Sequence, residues 1–567
     1  MTTSARFALP ASLQSLRNYV NGQFVETGKT FDNVSPLDGR LLAKVHEADA
    51  QLVDQAVQAA RQALSGPWGR MSVQQRAELL YKVAGIIERR FDEFVAAEVA
   101  DTGRPIEQAR ALDIYRGMAN LRTFADLGKV ANGEYFETQL ANGQSLMNYT
   151  VRKPLGVIAS ICPWNLPLLS MTWKAGPALI CGNTMVVKPS EETPSSATLL
   201  AEAFDEAGVP PGVFNLVHGF GPGSAGEAMT VHPGVDAVTF TGESRTGSAI
   251  MKAVADGVKD ISFELGGKNG AVVFADADFD AAVEGIVKSS FTNSGQVCLC
   301  SERVFVQRPI FDKFVAALKA RTEALKIGWP DEQGVFMGSL ISHEHRDKVL
   351  SYYERAVAEG ATLVTGGGVP PMPAELADGA WVQPTIWTGL PETASVVREE
   401  IFGPCCHIAP FDTEEEAVAL ANATDYGLAT TVWTSNIGTA TQTVTEVSEG
   451  TETVKVLAPP PEWGMPVGVV RILRDPGDLN HPGGSLPDWT GTYVRVAGDV
   501  VETTLSVSWM SFAAGVWQLD YRGYVPGLAA PTSLVAGQTY TSPAVQTYQQ
   551  FATPSRPDPI NDPGLVT

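Results

Sequence analysis

Val-Ile-Ala-Ser-Ile-Cys at 157–162, flanked by Pro154 and Pro163, is the stretch on which the fold turns. Six uncharged, mostly apolar residues bounded by prolines read as a strand buried on both faces, because proline cannot donate to a sheet ladder and marks its ends. Asn-Thr-Met-Val-Val-Lys at 183–188 repeats the pattern and stops at Pro189. Phe-Asn-Leu-Val at 214–217 and Asp-Ala-Val-Thr-Phe at 236–240 follow, with a helical run over 195–207 between. Strands alternating with helices of this length pair in parallel through crossovers, so an α/β domain is expected.

Past Asn269 the alternation resumes. Residues 271–274 and 304–306 read as strands, and 278–291 and 311–325 as helices. Two successive parallel-sheet α/β domains are therefore expected. Upstream, Tyr-Val-Asn-Gly-Gln-Phe at 19–24 alternates around Asn21-Gly22, a hairpin signal. From Asp49 to Asp126 apolar residues recur at three- and four-residue spacing, which predicts helices. After Gly450 the character changes: 455–490 is dense in Pro and Gly, and 490–550 carries short β-branched and aromatic runs. A β-rich or irregular extension is expected over 452–567, with Pro554 to Thr567 disordered.

The 567 residues carry a formal net charge of −22, which repels a phosphate backbone or an anionic bilayer. No nucleic-acid or membrane partner is expected. The six cysteines, Cys162, Cys181, Cys298, Cys300, Cys405 and Cys406, all lie mid-chain, unlike a disulfide framework. That distribution suits a reducing compartment, and the cytoplasm is the expected location. Met1 to Arg17 lacks the order of a signal peptide, and no run approaches the ~20 apolar residues of a membrane span. No cysteine pair has zinc-ligand spacing, so no metal is expected.

Several short motifs bear chemistry. Cys298 closes Asn-Ser-Gly-Gln-Val-Cys at 293–298. A thiol after a glycine turn, at a helix edge, meets backbone N–H groups that lower its pKa and stabilise an oxyanion; the ordinary alternative is a buried structural thiol. Glu264 precedes Gly266-Gly267, where desolvation would make a carboxylate a useful base; a solvated surface acid is the alternative. Asn165 sits between Pro163 and Pro167, as a candidate oxyanion donor or a turn cap. Lys188 and Glu191 stand at a strand end, where ligands bind open α/β sheets; the acid suits a ribose hydroxyl and repels a 2′-phosphate, and a surface ion pair is the alternative. Gly221-Pro-Gly223-Ser-Ala-Gly226 matches a phosphate-binding glycine pattern literally. Phe240-Thr-Gly242-Glu-Ser-Arg-Thr-Gly247, between a strand and a helix, is the better pyrophosphate site. Glu400 and Phe402, in Glu-Glu-Ile-Phe-Gly-Pro at 399–404, could hold a nicotinamide ribose and ring; a strand-entry turn is the alternative.

In combination, in this order and spacing, these motifs resemble the aldehyde dehydrogenase superfamily over about residues 15–450. Glu-Leu-Gly-Gly-Lys at 264–268 looks like its general-base signature and Gly-Gln-Val-Cys at 295–298 like its nucleophile signature. Pro-Trp-Asn at 163–165, Lys-Pro-Ser-Glu at 188–191, Phe-Thr-Gly at 240–242 and Glu-Ile-Phe-Gly-Pro at 400–404 complete the set. The resemblance implies two Rossmann-like domains: 1–265 binding NAD, with a bridging β-arm near 126–152, and 266–451 carrying the nucleophile. It implies an aldehyde substrate, a cysteine thioester formed on Cys298, water activated by Glu264, and an oxyanion held by Asn165. Trp164, Lys174, Lys188, Glu191, Phe240, Gly242, Gly247, Leu265, Glu400 and Phe402 would contact NAD. A homo-oligomer is expected for the family.

The Glu243-containing loop looks most like that of the 2-hydroxymuconic and 2-aminomuconic semialdehyde dehydrogenases, with betaine aldehyde and other semialdehyde dehydrogenases as alternatives. Arg116, in Asp-Ile-Tyr-Arg-Gly at 113–117, fits that subgroup and could pair with a substrate carboxylate; a solvated helix arginine is the alternative. A coenzyme-A-acylating relative is the nearest enzymatic rival, and Glu264 argues for water as acceptor instead. After Gly450-Thr451 the family's closing Phe-Gly-Gly-x-Lys-x-Ser-Gly loop and final strand are not found. A second reading follows from that departure: an NAD-binding protein of impaired turnover, or a fusion whose β-rich tail is a binding or assembly module.

Overall fold

The computed structural model describes residues 9–10, 13–436, 438–440 and 443 in full. Beyond these it describes strand backbones between Glu452 and Gln549. The expected disorder of Pro554 to Thr567 lies outside the described residues. Two compact units emerge: Met1–Gly266 with Leu325–Val349 and Val369–Val382, and Gly267–Ala324 with Leu350–Gly368 and Gln383–Thr567. The first boundary between the units falls at Gly266/Gly267, one residue beyond the 265/266 boundary expected from the chain-order reading. The two returning segments, both placed by that reading in the 266–451 domain, belong to the first unit.

The first unit opens with β1 (Asn18–Val20) and β2 (Gln23–Val25), paired antiparallel. Asn21 and Gly22 both take positive φ, 52° and 77°, as a tight two-residue hairpin turn demands. Helices follow: α1 (Ala50–Ser65), α2 (Val73–Arg89), α3 (Phe91–Thr102) and α4 (Tyr115–Lys129). Asp49 caps α1 by accepting from the Leu52 N–H, and Ser72 with Gln75 forms a reciprocal capping box on α2. Between α3 and α4, Ala109–Ile114 winds as a π-helical turn.

The sheet is built from β3 (Val157–Ile161), β4 (Thr184–Lys188), β5 (Phe214–Leu216), β6 (Ala237–Thr241) and β7 (Asp260–Glu264). Helices α5 (Pro167–Ile180), α6 (Ser195–Glu206) and α7 (Ser244–Val254) alternate with them. The seven-stranded order is β7-β6-β3-β4-β5-β1-β2, parallel from β7 to β5 with the hairpin antiparallel at one edge. Alternation along β3 explains its apolar run. Val157, Ala159 and Ile161 enter one core, and Ile158 and Cys162 enter the other. On β4, Met185 and Val187 face one side and Val186 the other. Both faces are thus covered, as a parallel sheet requires.

Chain order reverses at β3: β4 and β5 are added on one side, β6 and β7 on the other. A crevice beyond the carboxyl ends of strands at such a switch is where open α/β sheets bind ligands. A separate hairpin, Tyr135–Gln139 with Ser145–Tyr149, stands out from this unit, with Tyr135 at 73% and Met147 at 68% exposure. It falls in the segment where a β-arm was expected.

The second unit carries β8 (Asn269–Val273), α8 (Phe279–Phe291), β9 (Ser301–Gln307), α9 (Phe311–Glu323), β10 (Thr362–Thr365), β11 (Thr385–Thr388), β12 (Cys405–Phe411) and β13 (Thr430–Trp433). Its six-stranded order is β10-β11-β12-β9-β8-β13, parallel except at β10. Val272, Phe274, Phe305, Phe411 and Val432 pack one of its cores. Further along, Glu452–Lys455 pairs antiparallel with Val469–Ile472, and Thr503–Ala513 with Val516–Gly523. Among the described residues no helix is long and apolar enough to cross a membrane.

Candidate active site

The first unit gathers its candidates at the carboxyl ends of its strands. After β3 the chain turns through Cys162-Pro163-Trp164-Asn165 into α5, whose first residue is Pro167. Asn165 is buried, and its backbone carbonyl accepts a hydrogen bond from the Arg104 guanidinium. Arg104 also pairs with Asp113 at 3.1 Å, and both side chains are fully buried. Asp113 in turn accepts from the Leu169 N–H at 2.6 Å. One buried ion pair therefore ties the π-helical turn, the Asn165 backbone and the start of α5. Glu98 lies beside Asp113; burial and the neighbouring carboxylate push its carboxyl well above the usual range. Trp164 stands edge-on to His345, ring centres 5.2 Å apart.

Two lysines sit deeper. Lys174, on α5, donates from Nζ to Thr239 Oγ1 on β6 at 3.1 Å. Burial lowers its pKa, with Cys162 and Glu264 opposing. Lys188, at the end of β4, donates to the carbonyls of Pro189 (2.7 Å) and Gly219 (2.8 Å), and meets Glu191 Oε2 at 3.4 Å. Burial lowers its pKa too, and Glu191 opposes. Lys188 thus fastens the loops after β4 and β5, while Glu191 keeps a partly exposed carboxylate.

After β6 the Gly242 N–H donates to the Glu264 carbonyl at 3.0 Å, so the β6 and β7 ends stay joined. A Cβ on Gly242 would come within 2.5 Å of the Phe240 ring, and one on Gly247 within 2.6 Å of Leu265. A side chain at either position would have to displace that neighbour, so close packing around the start of α7, not left-handed torsion, favours glycine here. Glu264 itself is exposed. The desolvated setting expected for it is not found, because it sits on β7, an edge strand whose alternate side chains face outward. Arg116 is likewise exposed, on the first turn of α4 just past the π-helical turn.

The second unit holds Cys298, Glu400 and Phe402. Before the thiol, Asn293, Ser294 and Gly295 take φ of 54°, 55° and 73° in succession. Two of these are not glycine, and the left-handed region costs such residues roughly 1–2 kcal/mol each. Crossed hydrogen bonds hold the turn: Asn293 Nδ2 to the Gln296 carbonyl at 3.2 Å and Gln296 Nε2 to the Asn293 carbonyl at 3.0 Å. At Gly295 a Cβ would run into the Gly403 carbonyl, so only glycine fits.

Cys298 lies in the loop between that turn and β9, not at the edge of a helix as expected. Asn269, at the start of β8, grips this loop, donating to the carbonyls of Cys298 (2.6 Å) and Cys300 (2.9 Å). The Cys298 thiol is partly exposed, whereas Cys300 is buried and its thiol is pushed up by that burial. Of the two thiols in the Cys-x-Cys motif, only Cys298 suits reaction with a solute.

Sequence reasoning missed Arg104, Asp113, Asn269 and Glu302. Arg104 and Asp113 flank a stretch that reads as ordinary charged helix, and nothing in their spacing marks them as buried. Glu302 and Arg303 follow Cys300 after a single serine. Two charges opening an otherwise apolar strand are the signal that could have found them.

The profile described as the aldehyde dehydrogenase family matches residues 24–468. The chain is 60% identical over 440 residues to a 2-hydroxymuconic semialdehyde dehydrogenase of Pseudomonas sp. (strain CF600), covering 77% of this chain and 90% of that protein. It is 57% identical to a 2-aminomuconic 6-semialdehyde dehydrogenase of Pseudomonas sp, covering 76% and 87%. A solved NAD+ complex of an aldehyde dehydrogenase from Bacillus cereus superposes with a TM-score of 0.75 at 38% identity, covering 79% of this chain and 89% of that one.

Proposed function

This chain belongs to the aldehyde dehydrogenase family, and on that premise we propose that it oxidises a carboxylated semialdehyde, of the 2-hydroxymuconic or 2-aminomuconic type, to the acid. Its likeness to the two Pseudomonas muconic semialdehyde dehydrogenases carries the choice of substrate. Arg116 supports it, since an exposed guanidinium can take a carboxylate in two parallel hydrogen bonds.

The oxidant is NAD, which when bound accepts the hydride leaving the aldehyde carbon. The first unit's residues fit a dinucleotide. Glu191 offers a partly exposed carboxylate to a ribose diol, and Gly242 and Gly247 keep the opening of α7 slim at a switch point. Trp164, Lys174 and Lys188 shape the same strand ends, with Phe240 and Leu265 packed beneath. Glu400 and Phe402 are assigned to the nicotinamide ribose and ring.

Cys298 attacks the aldehyde carbon as a thiolate, forming a C–S bond and placing negative charge on oxygen. The Asn165 amide and the Cys298 N–H hold that charge. Collapse of the oxyanion expels hydride and leaves a thioester on Cys298. Glu264 then removes a proton from water, which attacks the thioester and releases acid and thiolate. An exposed carboxylate suits a group that must meet solvent water. The Tyr135–Tyr149 hairpin, with its exposed aromatic residues, is the surface assigned to association with a second copy of the chain.

The test is NADH absorbance with purified chain, NAD, and either 2-hydroxymuconic semialdehyde or a simple aliphatic aldehyde. A higher kcat/KM is expected for the carboxylated substrate. Equal values would remove the carboxylate from the reading, and no NADH with either would remove the oxidation. Glu191→Ser bears on cofactor choice: removing the like charge should narrow the preference for NAD over NADP by roughly 10–100-fold, read as the ratio of kcat/KM values. An unchanged ratio would take Glu191 out of ribose recognition.

A further inference from the structure

The geometry points to the buried pair Lys268–Glu302 as the positioning device for Glu400 and Phe402, an inference that rests on the cofactor reading above. Lys268 Nζ pairs with Glu302 Oε2, and the two side chains are 0% and 3% exposed. The carboxylate has a second set of partners. Glu302 accepts from the Ile401 N–H at 3.1–3.2 Å and from the Phe402 N–H at 2.9 Å. Two successive backbone donors thus converge on one buried acid, the arrangement by which a carboxylate fixes a loop.

The loop needs fixing. Phe402 has φ of 63°, a left-handed conformation that a bulky residue keeps only where its surroundings impose it. The same short stretch of chain holds the other end: the Gly267 N–H donates to Glu400 Oε1 at 2.9 Å. Residues 267 and 268 therefore set the Glu400 carboxylate by a backbone donor and the 401–402 backbone through Glu302. Arg303 locks the base of the device, donating to the Lys268 carbonyl at 2.8 Å and to the carbonyls of Leu420 (2.7 Å) and Ala421 (2.8 Å).

Neither Lys268 nor Glu302 is assigned a contact with substrate or cofactor, so both are positioning residues. Their charge is informative. Apolar side chains of similar volume would fill the space, and such exchanges of a buried ion pair often preserve the fold. They would leave the 401 and 402 N–H groups without an acceptor, and Phe402 would relax from its left-handed torsion. The consequence falls on the nicotinamide half of NAD alone, because the ribose diol given to Glu191 in that reading is the one of the adenosine half, and Lys188 holds the loops beside it.

The experiment uses the full chain and its Lys268→Met/Glu302→Leu and Glu302→Gln variants. Calorimetric titration with NAD is set beside titration with AMP, which lacks the nicotinamide half. For the double variant, NAD affinity should fall on the order of tenfold or more, while AMP affinity stays at the parent value. Glu302→Gln keeps one acceptor oxygen, so it should lose several-fold in NAD affinity, again with AMP unchanged; it serves where the double variant does not fold. Parent-like NAD affinity in the variants would overturn the positioning role, as would parallel loss of NAD and AMP. If the unsubstituted chain bound no NAD at all, the cofactor reading would fall and this role with it.

Discussion

Cys298→Ala is expected to reduce NADH formation by about 10³-fold or more, with NAD affinity retained. The magnitude follows from what the thiolate supplies. Hydride leaves readily only from a carbon bearing an oxyanion, and in the proposed cycle attack by Cys298 creates that centre at once from a bound aldehyde. Without it, the reaction depends on the hydrated aldehyde losing a proton unaided. Cys300 cannot substitute although it is two residues away. It is buried, and burial pushes its thiol up, so it carries negligible thiolate near neutral pH. Cys162, Cys405 and Cys406 are buried too, and burial likewise raises their pKa values. Only Cys181 and Cys298 are open to a reagent among these six thiols. Iodoacetamide should therefore label those two, and inactivation should follow the Cys298 adduct. Cys181→Ala, at the exposed end of α5, should leave both the rate and the inactivation intact. Turnover by Cys298→Ala at the parent rate would remove covalent catalysis.

The parts of this architecture that could be read from sequence are those set by short-range patterning. The 157–162 run announces β3 because both its faces are buried, so every position is apolar or small. Asn21-Gly22 announces the hairpin because few other pairs tolerate two positive φ values. The parts that could not be read depend on distant neighbours. Glu302 is hinted at by two charges at the head of an apolar strand, but only its meeting with Lys268 and the 401–402 backbone makes it an internal anchor. Arg104 and Asp113 are hidden for the same reason, nine residues apart with no periodic signal. The left-handed Asn293-Ser294-Gly295 turn includes a serine, and propensity does not place serine there. Leu325–Val349 and Val369–Val382 return to the first unit through tertiary contacts that chain order cannot express. Glu264 reverses the usual error: its motif is plain, yet the desolvation inferred for it is absent, because a motif carries identity and spacing but not exposure.

Glu264→Gln separates the two halves of the proposed cycle. Thiolate attack and hydride loss make the thioester without a base at this position, so those steps should survive an isosteric amide. Hydrolysis should not. Water is a weak nucleophile at neutral pH, and a carboxylate that takes its proton in the transition state is worth roughly 10²–10⁴-fold. A rapid burst of about one NADH per functional site is therefore expected, followed by a steady rate slower by that factor. Adding hydroxylamine, which attacks a thioester without help, should restore turnover in the variant and change the parent little. Loss of the burst together with the steady rate would place Glu264 before the thioester, as the group that deprotonates Cys298. A steady rate equal to the parent's would mean that another group activates the water.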